Sequence, residues 1–213
     1  MLERHVLKDG TGVVLRHIRP TDKEELHRAF YRLSPESRYR RFFSGITDLS
    51  DEMLDYLCDV DGRSHVAIVA LKESNDLKEE QGVGVARFVR LEGEPTVAEI
   101  AVTVVDDEQN KGIGTLLLKT ATRAARARGI THFRAEVLAS NETMLDMLKE
   151  SGAILRPTQD GTVAVDADIA PTDEHRGLLH RALLIAATQL NVFLRKLQPP
   201  PSLPPTSAPP SSG

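Results

Sequence analysis

Val104-Val105-Asp106-Asp107-Glu108-Gln109-Asn110-Lys111-Gly112-Ile113-Gly114-Thr115-Leu116-Leu117, or VVDDEQNKGIGTLL, runs from an apolar segment through a charged turn into an amphipathic one. Two glycines stand one residue apart where a helix should begin. A glycine inside a helix weakens it by about 1 kcal/mol relative to alanine, so the bare backbone needs a reason. A helix start leaves amide N–H groups without intrahelical partners, and the helix dipole makes that end positive. Without a Cβ at Gly112 and Gly114, an anion can approach those amides closely. Strand, turn, Gly-x-Gly and helix together read as a phosphate cradle. Asp106, Asp107 and Glu108 match the dipole. Lys111 does not, and either points to water or is relieved by a bound anion. The dinucleotide fingerprint is not met, because Leu117 stands where a third small residue is required.

Outward from this stretch, the order of elements follows from pattern. Residues 11–18 (TGVVLRHI) read as a strand, with Thr21 capping a helix through Leu33. A second short helix restarts at Ser34-Pro35-Glu36-Ser37, and a third is capped by Ser50. Strands follow over 64–71, 82–91 and 97–105, separated by a charged loop at 73–81 and a Gly/Pro turn at 92–95. A helix over 112–128, a strand over 131–138, a helix over 142–150 and a strand over 162–169 complete the series. This order predicts one layered α/β (α+β) domain, a mixed sheet with helices on its faces. A C-terminal helix over about 173–197 is apolar all round at its middle. It packs on its own domain or against a second copy, as a homodimer. The domain then spans 1–198, and the Pro/Ser-rich segment 199–213 reads as a disordered tail.

Bulk composition narrows the function. The 213 residues carry a net charge of −4, no tryptophan and few aromatics, which argues against a nucleic-acid partner. The lone cysteine, Cys58, reads as a small buried apolar residue and suits a reducing cytoplasm. No secretory leader pattern is visible at residues 1–5, and no apolar run approaches a membrane span. His65 and His132 lack ligand-spaced partners and no CxxC or HxxxH exists, so no metal is expected. Arg38, Arg40 and Arg41 form a basic run, either a solvated helix face or a contact to an anionic ligand.

Glu99 is the candidate general base. In Ala98-Glu99-Ile100-Ala101-Val102, alternation puts Glu99 on one face with Ala101 and Thr103, and Ile100, Val102 and Val104 on the other. A carboxylate in an apolar strand is desolvated, which favours proton uptake. The alternative is a solvated or ion-paired glutamate near a strand start.

Gln109-Asn110-Lys111-Gly112-Ile113-Gly114 resembles the Q/R-x-x-G-x-G/A signature of the GNAT acetyltransferase superfamily. Ile18-Arg19-Pro20-x-Asp22 and Leu33-Ser34-Pro35-Glu36-Ser37-Arg38-Tyr39-Arg40-Arg41-Phe42-Phe43 resemble the GNAT domain of bacterial Pat-type protein lysine acetyltransferases. The likeness covers roughly residues 5–170. It implies acetyl-CoA as co-substrate and a primary amine as acceptor, either a protein lysine or a small molecule. Amides from Asn110 to Thr115 would hold the CoA pyrophosphate. The backbone of Val102, Thr103 and Val104 would pair with the pantetheine, and Asn141 would orient it. Glu99 would act as base. Leu148 stands where many GNAT enzymes carry a tyrosine acid, which leaves the general acid unassigned. A catalytically silent acyl-CoA-binding module and a nucleotide-binding α/β protein are the rival readings.

Overall fold

The computed structural model describes residues 2–42, 46–73, 80–139, 153–158 and 161–169, with 142, 145, 146 and 149 between them. Eight strands form one sheet in the order β1-β2-β3-β4-β5-β6-β8-β7. They are β1 (Leu2–Val6), β2 (Gly12–His17), β3 (His65–Lys72), β4 (Gln81–Leu91), β5 (Glu94–Val104), β6 (His132–Leu138), β7 (Ile154–Pro157) and β8 (Thr162–Asp168). Every neighbouring pair is antiparallel except β5 with β6. The helices are α1 (Lys23–Tyr31), α2 (Pro35–Phe42), α3 (Asp51–Cys58) and α4 (Ile113–Arg126). The expected mixed sheet flanked by helices is therefore the observed fold. The C-terminal helix, the tail and most of the 142–150 segment lie outside the described residues.

Each face of the sheet is closed by a helical stripe. On α4, Ile113, Leu117, Ala121 and Ala125 recur every four residues and are buried. They pack over the face that carries Ile100 and Val102. The close approach depends on Gly84, where an added Cβ would fall 2.9 Å from the Thr103 carbonyl oxygen and 3.0 Å from Leu117 Cδ1. On the opposite face α1 and α3 contribute Phe30, Met53, Leu54 and Leu57 to the buried core. Ser50 caps α3 as expected, its Oγ accepting from the Met53 N–H at 3.3 Å.

The start of the α1 segment differs from expectation. Thr21 is not the cap; residues 20–22 form a short 3-10 turn. Asp22 organises it, accepting from the Arg19 N–H at 2.7 Å and from both terminal nitrogens of Arg16 at 2.7 and 2.9 Å. Arg16 lies on β2 and is buried, and a bidentate carboxylate compensates a buried guanidinium better than a threonine hydroxyl could. The I-R-P-x-D run is therefore a structural clamp between β2 and α1. Cys58 is fully buried, and burial pushes its thiol up to about 11.

His65 sets a pH limit on this fold. Its ring stacks on Tyr56 at 4.8 Å, and its Nε2 accepts from the Arg87 guanidinium, which also donates to the Leu57 carbonyl at 2.6 Å. Burial first, and the Arg87 charge second, lower the His65 pKa to about 4. The folded state thus binds fewer protons than the unfolded state between the ordinary histidine value and about pH 4. Stability present above that window falls as pH drops through it. After allowance for partial solvent contact the loss is on the order of 2 kcal/mol. Urea midpoints between pH 7 and 4 should show this slope in the wild type and a shallower one in His65→Gln. Equal slopes would remove His65 from the account.

Candidate active site

The parallel pairing of β5 with β6 is short. It covers Val97 with His132, Ala98 with Phe133 and Glu99 with Arg134, and stops there. Beyond Glu99, β5 continues to Val104 paired, among the described residues, only with β4, while β6 continues to Leu138 paired with β8. The two strands splay apart toward the cradle.

Alternation decides which groups the opening receives. The Val105 N–H donates to Val83 O on the β4 side, and the Thr96 carbonyl accepts from Thr131 on the β6 side. Odd-numbered residues of β5 thus turn their backbone toward β4, and even-numbered ones toward the gap. Of the three residues expected to pair with a pantetheine, Val102 and Val104 present backbone groups to the opening. Thr103 presents its own to Val85 of β4, the correction to that set. The Val104 carbonyl is already tethered, accepting from Gln109 Nε2 at 3.1 Å.

At the open end lies the cradle. Gly112 is the N-cap of α4, with φ +92°, and Asn110 has φ +62°. Both lie in the left-handed region that glycine, and to a lesser degree asparagine, adopts at low cost. A Cβ on Gly112 would meet nothing within 4 Å, so conformation rather than crowding requires glycine there. The first intrahelical bond of α4 runs from the Leu116 N–H to Gly112 O at 3.1 Å. The amides of Ile113, Gly114 and Thr115 are consequently those without a helical partner.

The acidic turn before the cradle serves another purpose than matching the dipole. Asp107 pairs with Arg32 at 2.8 Å, and Asp106 accepts from the Ser34 N–H at 3.1 Å, tying the α1–α2 corner to the end of β5. Glu108 is buried between Lys72 Nζ at 2.7 Å and Lys111 Nζ at 2.8 Å. Burial opposes ionisation of Glu108, but the two ammonium groups outweigh it and lower its pKa. Lys111 therefore does not point unpartnered into water. It is held by Glu108, read from the sequence only as matching the helix dipole. With these carboxylates engaged elsewhere, the first turn of α4 holds no acid of its own. Its positive end suits an external anion.

At the closed end of the splay sits Glu99, 7% exposed, in the middle of β5 rather than near its start. It shares a face with Arg87, Ala101 and Thr103, and stands beside Arg134 in register. Arg134 itself is held by Asp166 at 2.6 Å and Glu94 at 2.6 Å. These bonds fasten β5, β6 and β8 together where the gap begins. Asn141 and Leu148 lie outside the described residues. Arg38 is structural: its guanidinium lies 4.6 Å from the centre of the Phe30 ring and donates to Leu33 O at 3.0 Å. His132 Nδ1 meets Thr131 Oγ1 at 2.8 Å. Among the described residues no helix is long and apolar enough to cross a membrane.

A helix start with unpaired amides, a gap edged by β5 backbone and a buried carboxylate at its closed end suit a diphosphate-bearing thioester and an amine. Comparison with known proteins agrees. The acetyltransferase (GNAT) family model matches residues 24–153. Acetyltransferase PA5475 of Pseudomonas aeruginosa is 33% identical over 162 residues, which is 75% of this chain and 84% of that protein. Acetyltransferase Pat of Mycolicibacterium smegmatis is 32% identical over 167 residues, 78% of this chain, which spans 49% of that longer relative. Among solved structures, the GNAT domain of S. lividans PAT matches with TM-score 0.67 and 28% identity, covering 78% of this chain and 96% of that one. The yncA protein of Salmonella typhimurium, solved with its cofactor acetyl-CoA, shares the fold at TM-score 0.53 and 16% identity over 76% of this chain and 97% of its own.

Proposed function

The chain belongs to the GNAT acetyltransferase family and is an acyl-CoA-dependent N-acetyltransferase, and from that premise we propose that it moves acetyl from acetyl-CoA to a protein lysine by direct attack in a ternary complex. The observation that carries this reading is the gap between β5 and β6, closed at Glu99 and open at the Asn110–Thr115 amides. The amides of Ile113, Gly114 and Thr115 would hold the pyrophosphate, and the backbone of Val102 and Val104 the pantetheine arm. The co-substrate supplies an activated acetyl thioester.

This chain's own contribution is then a proton and a position. A lysine amine has a pKa of about 10.4, so presenting it neutral at pH 7 costs roughly 4–5 kcal/mol. Glu99, buried at the end of the slot, takes that proton directly or through one water. Arg134, held by Glu94 and Asp166, keeps β5 and β6 joined beside it. The lysine assignment rests on the likeness of the 18–43 run to Pat-type enzymes. Labelled acetyl-CoA incubated with the protein and a cell lysate should place label in the protein fraction, stable to hydroxylamine as an amide is. Label confined to small molecules would transfer the proposal to a small-molecule amine. No enzyme-dependent label in either fraction would sink it.

A further inference from the structure

A cavity of ≈ 80 Å³ lies under α1, on the same face of the sheet as Glu99. Its walls come from Leu26, Ala29 and Phe30 of α1, Val69 of β3, Val85 of β4 and Thr103 of β5. A single water needs about 10–15 Å³ of such space, so several heavy atoms fit. The hollow is open to solvent on one side, and most of its exposed lining is apolar.

The charged side chains on the cavity wall are committed elsewhere. Arg87 donates to His65 and the Leu57 carbonyl. Asp22 holds Arg16, and Glu25 holds Arg28 and the Gly82 N–H. A carboxylate or a cation entering here would therefore have to displace bonds already made. Hydrocarbon would displace nothing. One polar handle is left over: Thr103 Oγ1 is buried without a hydrogen-bond partner among the described residues. It stands on β5, the strand along which a thioester would lie.

Slot and cavity meet at one residue of β5, Thr103, which lines the cavity. Thr103 lies between Val102 and Val104, whose backbone faces the gap. Ala101 stands between Glu99 and Thr103 on their common face, and Arg87 and Val85 of β4 stand opposite Ala101 and Thr103.

We propose that this cavity is an acyl-chain pocket, and that the enzyme binds and transfers medium-chain aliphatic acyl groups as well as acetyl. The inference rests on the acyl-CoA reading of the β5–β6 slot. The step itself is unchanged: the carbonyl–sulfur bond breaks, a carbonyl–nitrogen bond forms, the amine proton passes to Glu99 and coenzyme A leaves as its thiol. The chain only adds methylenes that leave water for the space beneath α1.

Titration calorimetry with acetyl-CoA and octanoyl-CoA tests this on the full chain. Wild type should bind octanoyl-CoA at least tenfold more tightly than acetyl-CoA, with a more negative heat-capacity change. Ala29→Phe, filling the cavity from α1, should bring the ratio of the two affinities close to one. Val85→Phe should do the same from the sheet, so that either variant suffices if the other misfolds. The ratio of turnover with the two thioesters should follow. A wild type that binds acetyl-CoA but gains nothing from the longer chain overturns the pocket and leaves the acetyl transfer intact. A ratio that survives both fillers overturns it too. Binding of neither thioester would instead remove the acyl-CoA reading on which the pocket rests.

Discussion

Glu99→Gln should lower kcat at pH 7 by 10²- to 10⁴-fold while leaving acetyl-CoA affinity within a few-fold of wild type. The range is that of a positioned general base. Glutamine keeps the shape of the side chain and removes its ability to take a proton. The pH profile separates this from simple damage. Without the base, the acceptor must lose its proton to water before reaction, so the variant's rate should climb about tenfold per pH unit below the amine pKa of about 10.4. Wild type should rise less steeply over the same interval. Steady-state kinetics from pH 6 to 9 with one lysine-bearing acceptor would read both. Full activity of the variant across that range would strike Glu99 from the mechanism.

Gly112→Val should weaken acetyl-CoA binding about tenfold or more and lower thermal stability. At φ +92° an L side chain costs about 1–2 kcal/mol, and a β-branched one more. Because an added Cβ meets nothing within 4 Å, the penalty is conformational. The chain relieves it by rotating out of the left-handed region, and the amides of Ile113, Gly114 and Thr115 then no longer converge. A 1.4 kcal/mol loss is tenfold in affinity. Gly112→Asn is the discriminating control, since asparagine tolerates this conformation, as Asn110 does at φ +62°. It should retain most of the binding. Equal loss in both variants would mean that the missing side chain, and not the backbone angle, is what the cradle needs.

The central strands and α4 were legible because their side chains face water on one side only, or not at all. Residues 64–71 and 82–91 are apolar enough to declare themselves, and they match β3 and β4. The two edge strands did not. Among the described residues Leu2-Glu3-Arg4-His5-Val6 pairs only with β2 and buries little, so no apolar periodicity marks it. Ile154–Pro157 at the other edge is equally exposed. The site followed the same division. Gly-x-Gly after a strand pointed to the turn that opens α4, and Gly112 there does take positive φ. The gap between β5 and β6 has no such signature, since it depends on which residues of two distant strands pair. Glu108 was hidden for a related reason: one of its two lysines, Lys72, is 36 residues away.

The three paired rungs at residues 97–99 and 132–134 also make a mechanical statement. Among the described residues they are the only strand pairing that joins the five-strand leaf β1–β5 to the three-strand leaf β6, β8 and β7. A pantetheine arm threading the opening would stitch the two leaves along the rest of their length. If the pantetheine arm runs there as proposed, hydrogen exchange on β6 should slow when acetyl-CoA binds.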